Sequence, residues 1–351
     1  MSTTSDKARL TWVDTAKALG IFYVVLGHHH NHVLYNYIYT FHMPLFFFLS
    51  GMMFSRKPEQ TFTGFMAKRA QTLLIPYFVF SFALYGLWWF LGRFLDPGVT
   101  AGYSLEKNFI GIFYAQGQME YMRWGLEMWF LPCLFLTTLL YYFIAPLSQV
   151  KQTFLILVCA VIGFNLPTWL GFRLPWSVDI ALVAIGFFWL GHMAKSSLMQ
   201  FDLCWENILL LLFLFFTSLF AFQLQIQRVD MYQAIYGDYL LFYLSAVTGV
   251  MFYVALAKVL PVINWVLFIG ANSLVIYMLH MRALTVLNFV FNRFPELNID
   301  DSQLLGVLAI CLLQIVVVVP AILILNRFFP FFLGRGRNKP SPRYESPARV
   351  A

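Results

Sequence analysis

Long apolar runs recur along this chain from one end to the other, each near the ~20 residues a helix needs to cross ~30 Å of hydrocarbon. Ten can be marked, at about 16–35, 37–54, 73–92, 128–146, 153–170, 177–195, 207–223, 239–258, 265–291 and 304–329. The runs are continuous rather than alternating, which excludes a transmembrane β-barrel. Of the 351 residues 60% are hydrophobic and only 11% charged, less than half the charged share of an ordinary soluble domain, about 25%. The expected fold class is therefore all-α, a polytopic integral membrane protein of about ten transmembrane helices. Asp14 and Lys17 lead straight into the first run with no small-residue cleavage pattern, so a cleavable signal is not expected.

Loop charge gives the orientation. Arg56, Lys57, Lys68 and Arg69 follow the second run, and Arg335, Arg337, Lys339, Arg343 and Arg349 crowd the tail against one acid, Glu345. Both regions are expected in the cytoplasm, which requires an even number of spans and puts both termini there. The domain reading is a membrane body at 1–333 and a basic tail at 334–351, rich in Pro, Ser and Arg and expected to be disordered and to touch anionic lipid. The longest outer connection, residues 93–127, carries Asp96, Glu106, Lys107, Glu120, Arg123 and Glu127 and is expected to form a partly structured external segment. The net charge of +7 sits in short loops and the tail, so no nucleic-acid partner is expected. Cys133, Cys159, Cys204 and Cys311 lack CxxC spacing and read as core thiols. Spans five to eight read as scaffold.

The chemistry concentrates in the first two runs. DTAKALGIFYVVLGHHHNHVLYNYIYTFHMPLFFFLSG, residues 14–51, holds five of the seven histidines: His28, His29, His30, His32 and His42. Ionisable groups at membrane depth cost roughly 2.5 kcal/mol or more each, so they mark function. On a continuous helix, eleven residues rise about 16 Å and turn only about 20° past three full turns. Lys17 and His28 then share a face, with Lys17 near the cytoplasmic surface and His28 near mid-membrane, while His29 and His30 point elsewhere. His28 and His32, at i and i+4, have the spacing of a metal chelate, but no third or fourth ligand is evident and no metal is expected. Pro44 is placed in the first turn of the second helix, where a missing amide donor is tolerated. Ser50 and Gly51 permit close helix approach. His42 stands near the outer end, as an interfacial group or part of an acceptor site.

VDTAKALGIFYVVLGH, FHMPLFFFLSG, KRAQTLLIPY at 68–77, MWFLPCLF at 128–135 and ANSLVIYMLH at 271–280 together resemble the acyltransferase-3 family, above all its fucose 4-O-acetylase-like and exopolysaccharide (xanthan-type) acetyltransferase branch. The blocks touch spans one to four and nine; the rest matches only as hydrophobic helices. The resemblance implies a membrane O-acyltransferase of the bacterial inner membrane, taking an acetyl group from cytoplasmic acetyl-CoA. The acceptor would be a sugar hydroxyl of an exopolysaccharide, surface glycan or lipid-linked precursor. It implies His28 as the key histidine and Lys17 as the basic residue eleven before it, where the family often has Arg, whose bidentate fork Lys cannot make. It also implies Arg69, with Lys68 adjacent, as the basic residue before the LIPY segment, and His280 as the late-helix histidine, with His28, Lys17 and His280 forming the catalytic set.

The residues suit that chemistry. Coenzyme phosphates need cations at the cytoplasmic face, where Lys17, Lys68 and Arg69 are expected. An attacking hydroxyl must lose a proton, and histidine suits a general base. Acceptor and oxyanion candidates are His42, Trp129, Asn272, Ser273 and Tyr277. Counted from about position 265 on an unbroken ninth helix, His280 is expected ~22 Å deep, nearer the acceptor side. The alternative is a glycan or anion transporter or flippase with a histidine proton relay, although no internal repeat of the usual transporter kind is visible.

Overall fold

The computed structural model describes residues 10–30, 34–57, 59–92, 102–201 and 204–335. They are helical throughout, with one isolated bridge, Asp230 to Ile235, as the only extended pairing among them. The protein is an all-α polytopic membrane protein: eight helices are long and apolar enough to cross a membrane.

In chain order the helices are α1 (Thr11–Leu26), α2 (Tyr35–Met52), α3 (Phe62–Leu87), α4 (Leu105–Tyr114), α5 (Met119–Met122), α6 (Phe130–Ile144), α7 (Gln149–Leu170), α8 (Val178–Met199), α9 (Trp205–Gln223), α10 (Tyr239–Val259), α11 (Asn264–Ala271), α12 (Ser273–Arg293) and α13 (Leu304–Phe328). A π-helical turn, Trp88–Gly92, continues α3, and a 3-10 turn, Leu126–Trp129, opens α6. The two expected spans outside the eight are α1 and α2. They are the buried centre: α1 packs on α2, α10, α11, α12 and α13, and α2 on α8 and α10. A helix surrounded by other helices needs no long lipid-facing stripe, so its apolar run can be shorter and more polar. On the periphery the pattern inverts, and Phe154, Leu157 and Val161 of α7 and Phe213, Phe216 and Phe220 of α9 lie exposed where lipid replaces water as the solvent.

Two close approaches fix the centre. A Cβ on Gly51 would lie 1.8 Å from the Phe188 carbonyl oxygen, and one on Gly191 2.0 Å from that of Phe48, so α2 and α8 touch backbone to backbone. Gly270 gives α11 the same contact with α1, since its Cβ would stand 1.8 Å from Asp14 O.

Several expected boundaries move. Thr61 caps α3 by accepting from the Gly64 amide at 3.2 Å, so Lys68 and Arg69 lie on that helix and not in a loop before it. Pro44 is inside α2, not in its first turn, because helix begins upstream at Tyr35; the polar YNYIYT segment is helical where a hydropathy reading sees an approach. The ninth span is broken at Asn272 (φ −113°, ψ 16°) into α11 and α12. The first ends at Leu26, short of the expected 35. Gly334 and Arg335, counted with the tail, belong to the body: Gly334 is buried against Gln71 and Thr72, and Arg335 donates to Ala271 O at 3.2 Å. With Asp14 on Gly270 and Arg335 on Ala271, the two ends of the described chain lie on one face of the bundle. The rest of the tail, from residue 336, lies outside the described residues, as does His32.

Candidate functional site

α1 stops inside the bundle. The turn that follows it carries His28, His29 and His30, and its neighbours show the depth. His29 Nε2 is 2.7 Å from Gln314 Oε1. Gln314 stands ten residues into α13, about 15 Å below that helix's start. Gln314 Nε2 in turn donates to His280 O at 3.1 Å, and His280 stands thirteen residues before the end of α12, about 20 Å below it. His28 meets His280 here, with His280 Nε2 3.3 Å from His28 Nδ1 and the rings nearly perpendicular. The unbroken-helix estimate placed His280 deeper toward the acceptor side than His28. The break at Asn272 removes that offset, and the two histidines share one level.

The backbone fixes the protons. His28 Nδ1 lies 2.7 Å from Val24 O, and His280 Nδ1 2.8 Å from Tyr277 O. A carbonyl oxygen only accepts, so in each neutral ring Nδ1 carries the hydrogen and Nε2 the lone pair. The lone pair of His280 Nε2 faces the His28 Nδ1–H, which is shared between it and Val24 O. His28 Nε2 is left with no hydrogen-bond partner among the described residues, on a half-buried ring. The negative end of the α1 dipole stands behind that ring, where positive charge gathers when it takes a proton. His42 Nδ1 donates to Ile38 O at 2.8 Å, its ring packs edge-on to Tyr39, and it is close enough to His28 for their charges to interact. His29 is spent on Gln314, and His30 lies exposed against Tyr35.

Beside the histidine pair lies a group that sequence reasoning missed. The 3-10 turn Leu126–Trp129 packs on α12 and buries Glu127, which was counted with the external segment. Glu127 interacts at a distance with Arg282, two residues beyond His280 on α12, without forming an ion pair among the described residues. Glu127 Oε1, Tyr277 Oη and Arg282 Nε are all buried with no hydrogen-bond partner among the described residues. Tyr277 packs edge-on to Phe130, and Trp129 lies next along that contact. Spacing gave no signal for Arg282, which follows His280 by two and so turns about 200° away from it, and the acid near it is brought by a turn whose sequence reads as loop.

Asn272 and Ser273 are not at this level. Eight residues separate Asn272 from His280, about 12 Å along α12. Asn272 Oδ1 accepts from Asn326 Nδ2 at 2.8 Å, and its own Nδ2 donates to Phe268 O at 2.8 Å. Arg335 completes the junction by donating to Asn326 Oδ1 and to Ala271 O. This end also holds Asp14, with Lys17 Nζ 3.9 Å from its Oδ1. Arg69, half-buried over the Phe65 ring, and exposed Lys68 stand on the first turns of α3, whose Gln71 and Thr72 touch Gly334. The structure thus separates the expected residues into a histidine level and a basic end about 16 Å apart along α1.

A family model described as an acyltransferase domain, Acyl_transf_3, matches residues 10–326. The chain belongs to the acyltransferase-3 family. No curated protein and no solved structure matches it. The acyltransferase-3 match runs through every helix named above from α1 into α13, so both the histidine level and all of the basic end except Arg335 fall within it. Membership makes this multi-pass protein an acyltransferase.

Proposed function

We propose that the protein transfers an acetyl group from cytoplasmic acetyl-CoA to a sugar hydroxyl of an exopolysaccharide, a surface glycan or its lipid-linked precursor, as in the fucose 4-O-acetylase-like branch, in the bacterial inner membrane. The observation that carries the reading is the orphan Nε2 of His28, oriented by Val24 O and His280 and lying about 16 Å along α1 from Lys17. Lys17, Lys68 and Arg69 supply cations for the coenzyme phosphates at one end. The extended pantetheine arm then brings the thioester to the histidine level.

There the acceptor hydroxyl gives its proton to His28 Nε2 while its oxygen bonds to the thioester carbon. The C–S bond breaks, the coenzyme leaves as thiolate, and the proton passes from His28 to it. His280 positions His28 through Nδ1 and shares the positive charge that develops. Tyr277 Oη and Arg282, both short of acceptors, are the donors nearest to where the carbonyl oxygen gathers charge.

The test is direct. Purified protein with isotope-labelled acetyl-CoA and a membrane glycan fraction should place label on sugar, read by mass spectrometry, and His28→Ala should not. A wild-type protein that leaves the thioester intact with every glycan fraction would defeat the reading.

A further inference from the structure

Above the histidine level three loops close around a cavity of about 310 Å³ lined by Gly117, Gln118, Met119, Arg173, Tyr232 and Gln233. Its size is at the small end of ligand pockets, on the order of 300–1,000 Å³, with room for a single sugar residue and its substituents. From this cavity we infer a binding site for a neutral hexosyl unit of the acceptor glycan, a proposal that rests on the acyl-transfer reading above and names where its acceptor sits.

The lining chemistry selects the ligand. Arg173, 7% exposed, is the one charged lining residue, and its Nε pairs with Asp179 at 2.6 Å. The guanidinium is thus neutralised locally and offers an anionic sugar no net attraction. Its Nη1 donates to Tyr232 O at 3.0 Å, while Nη2 finds no acceptor among the described residues. Gln118 and Gln233 are exposed amides; Gln118 offers its Nε2 donors and Gln233, whose Nε2 is taken up by Tyr232 Oη and Asp230 Oδ2, its Oε1 acceptor, the combination that hydroxyl groups require. They are held in place: Gln116 Nε2 donates to Gln118 Oε1 at 2.6 Å, and Gln233 Nε2 to the Tyr232 hydroxyl at 2.7 Å. Tyr232 and Met119 add apolar surface for a sugar ring face.

The backbone marks the same place. All four non-glycine residues with positive φ among the described residues, Ala115, Trp176, Ser177 and Ala234, lie on these three loops. Such conformations cost stability and gather at ligand clamps. The contacts that hold them are visible: Tyr114 Oη donates to Arg173 O at 2.7 Å and Trp176 Nε1 to Phe113 O at 2.7 Å. The cavity borders the turn that carries Glu127, because Gly117, with φ of +77°, packs on the side chain of Trp129, the last residue of that turn.

The experiment uses the full protein in lipid nanodiscs, with cellotetraose as neutral probe, tetragalacturonate as anionic control, and saturation-transfer NMR as readout. Saturable cellotetraose binding, weakened about tenfold or more by the paired change Gln118→Ala and Gln233→Ala with coenzyme A affinity kept, supports the site. That factor corresponds to the loss of two or more neutral hydrogen bonds. A second measurement places cysteine at position 233 and asks whether cellotetraose slows its reaction with a membrane-impermeant thiol reagent, as the site requires. Unchanged affinity in the paired variant, no protection of the cysteine, no saturable binding or preference for tetragalacturonate would overturn it. Sugar binding with these properties in a protein that never consumes acetyl-CoA would leave the site standing and remove only the acyl-transfer reading.

Discussion

At the α11–α12 junction, Asn272, Asn326 and Arg335 spend their side chains on one another and on the carbonyls of Phe268 and Ala271. Two turns up α12, at the histidine level, Tyr277 Oη, Arg282 Nε, Glu127 Oε1 and His28 Nε2 have no hydrogen-bond partner among the described residues. Both regions are polar and at least partly buried, and both adjoin the same helix. A buried polar group without a partner costs about 1–3 kcal/mol, so a fold keeps one only where something else is gained. The junction is a structural clasp across a helix break, and the level above it is a site that keeps its groups open for a ligand.

The largest expected effect tests the open level at its centre. His28→Ala should lower acetyl transfer by ~10²–10⁴-fold, the usual contribution of a general base, while the variant inserts and melts like the parent. Labelled-acetate incorporation at matched protein level measures it, and near-normal incorporation would reassign the base. Tyr277→Phe sharpens the contrast because activity and stability should part. Removing an unpartnered hydroxyl should leave the melting temperature unchanged or raise it. The rate should fall, by ~10²–10³-fold if the hydroxyl is an oxyanion donor. Loss of stability without loss of rate would move Tyr277 into the structural class.

The basic end divides in two under the same test. Arg69, half-buried on α3 over Phe65, is assigned to phosphate, and Arg69→Ala should cost about 1.5–3 kcal/mol of donor binding. That is a rise in acetyl-CoA KM with the acceptor KM unmoved; a rise in the acceptor KM alone would misplace the donor end. Asn272→Ala should do the reverse and lower stability by about 1–3 kcal/mol, since it leaves Asn326 Nδ2 without its acceptor. Turnover of the folded fraction should be little changed. Thermal unfolding read alongside initial rates separates the two outcomes.

The contrast also explains what the sequence makes legible. Apolar runs place nearly every helix because each must satisfy its backbone internally and face lipid or a neighbour. They do not reveal the break, since only Asn272 and Ser273 interrupt an otherwise apolar run, and Asn272 is held there by a side chain from α13. The count from position 265 therefore set His280 too deep. The eleven-step count from Lys17 to His28 assumed a continuous helix, whereas α1 ends at Leu26, and the meeting of His28 with His280 is a contact between residues more than 250 positions apart. Glu127 and Arg173 were invisible for a related reason. Their loops look like solvent-exposed connections until the fold buries them, with Arg173 7% exposed.

The smallest expected effect comes from another buried acid of the connecting loops, and it tests whether these loops tolerate charge as the histidine level tolerates orphans. Asp230 is 3% exposed and pairs with Arg228 at 2.7 Å. Arg228 also lies over the rings of Tyr35 and Tyr39. Burial pushes the Asp230 carboxyl up to about 6, against the opposing pull of Arg228 and the Tyr232 and Gln233 amides. The folded chain therefore binds a proton where the unfolded chain, with an ordinary carboxyl near ~3.9, does not. Where the native state holds more protons, stability falls as pH rises. The group thus stabilises the fold below about pH 4 and loses that contribution as pH climbs through about 6. Asp230→Asn cannot titrate. The melting temperature of the parent relative to Asp230→Asn should rise as pH is lowered from about 7.5 to 5.5, by a degree or two given that ~1 kcal/mol moves a protein of this size by only a few degrees. A difference that falls over that range would mean the Arg228 pair outweighs burial, and Asp230 would then belong with the satisfied clasp at Asn272.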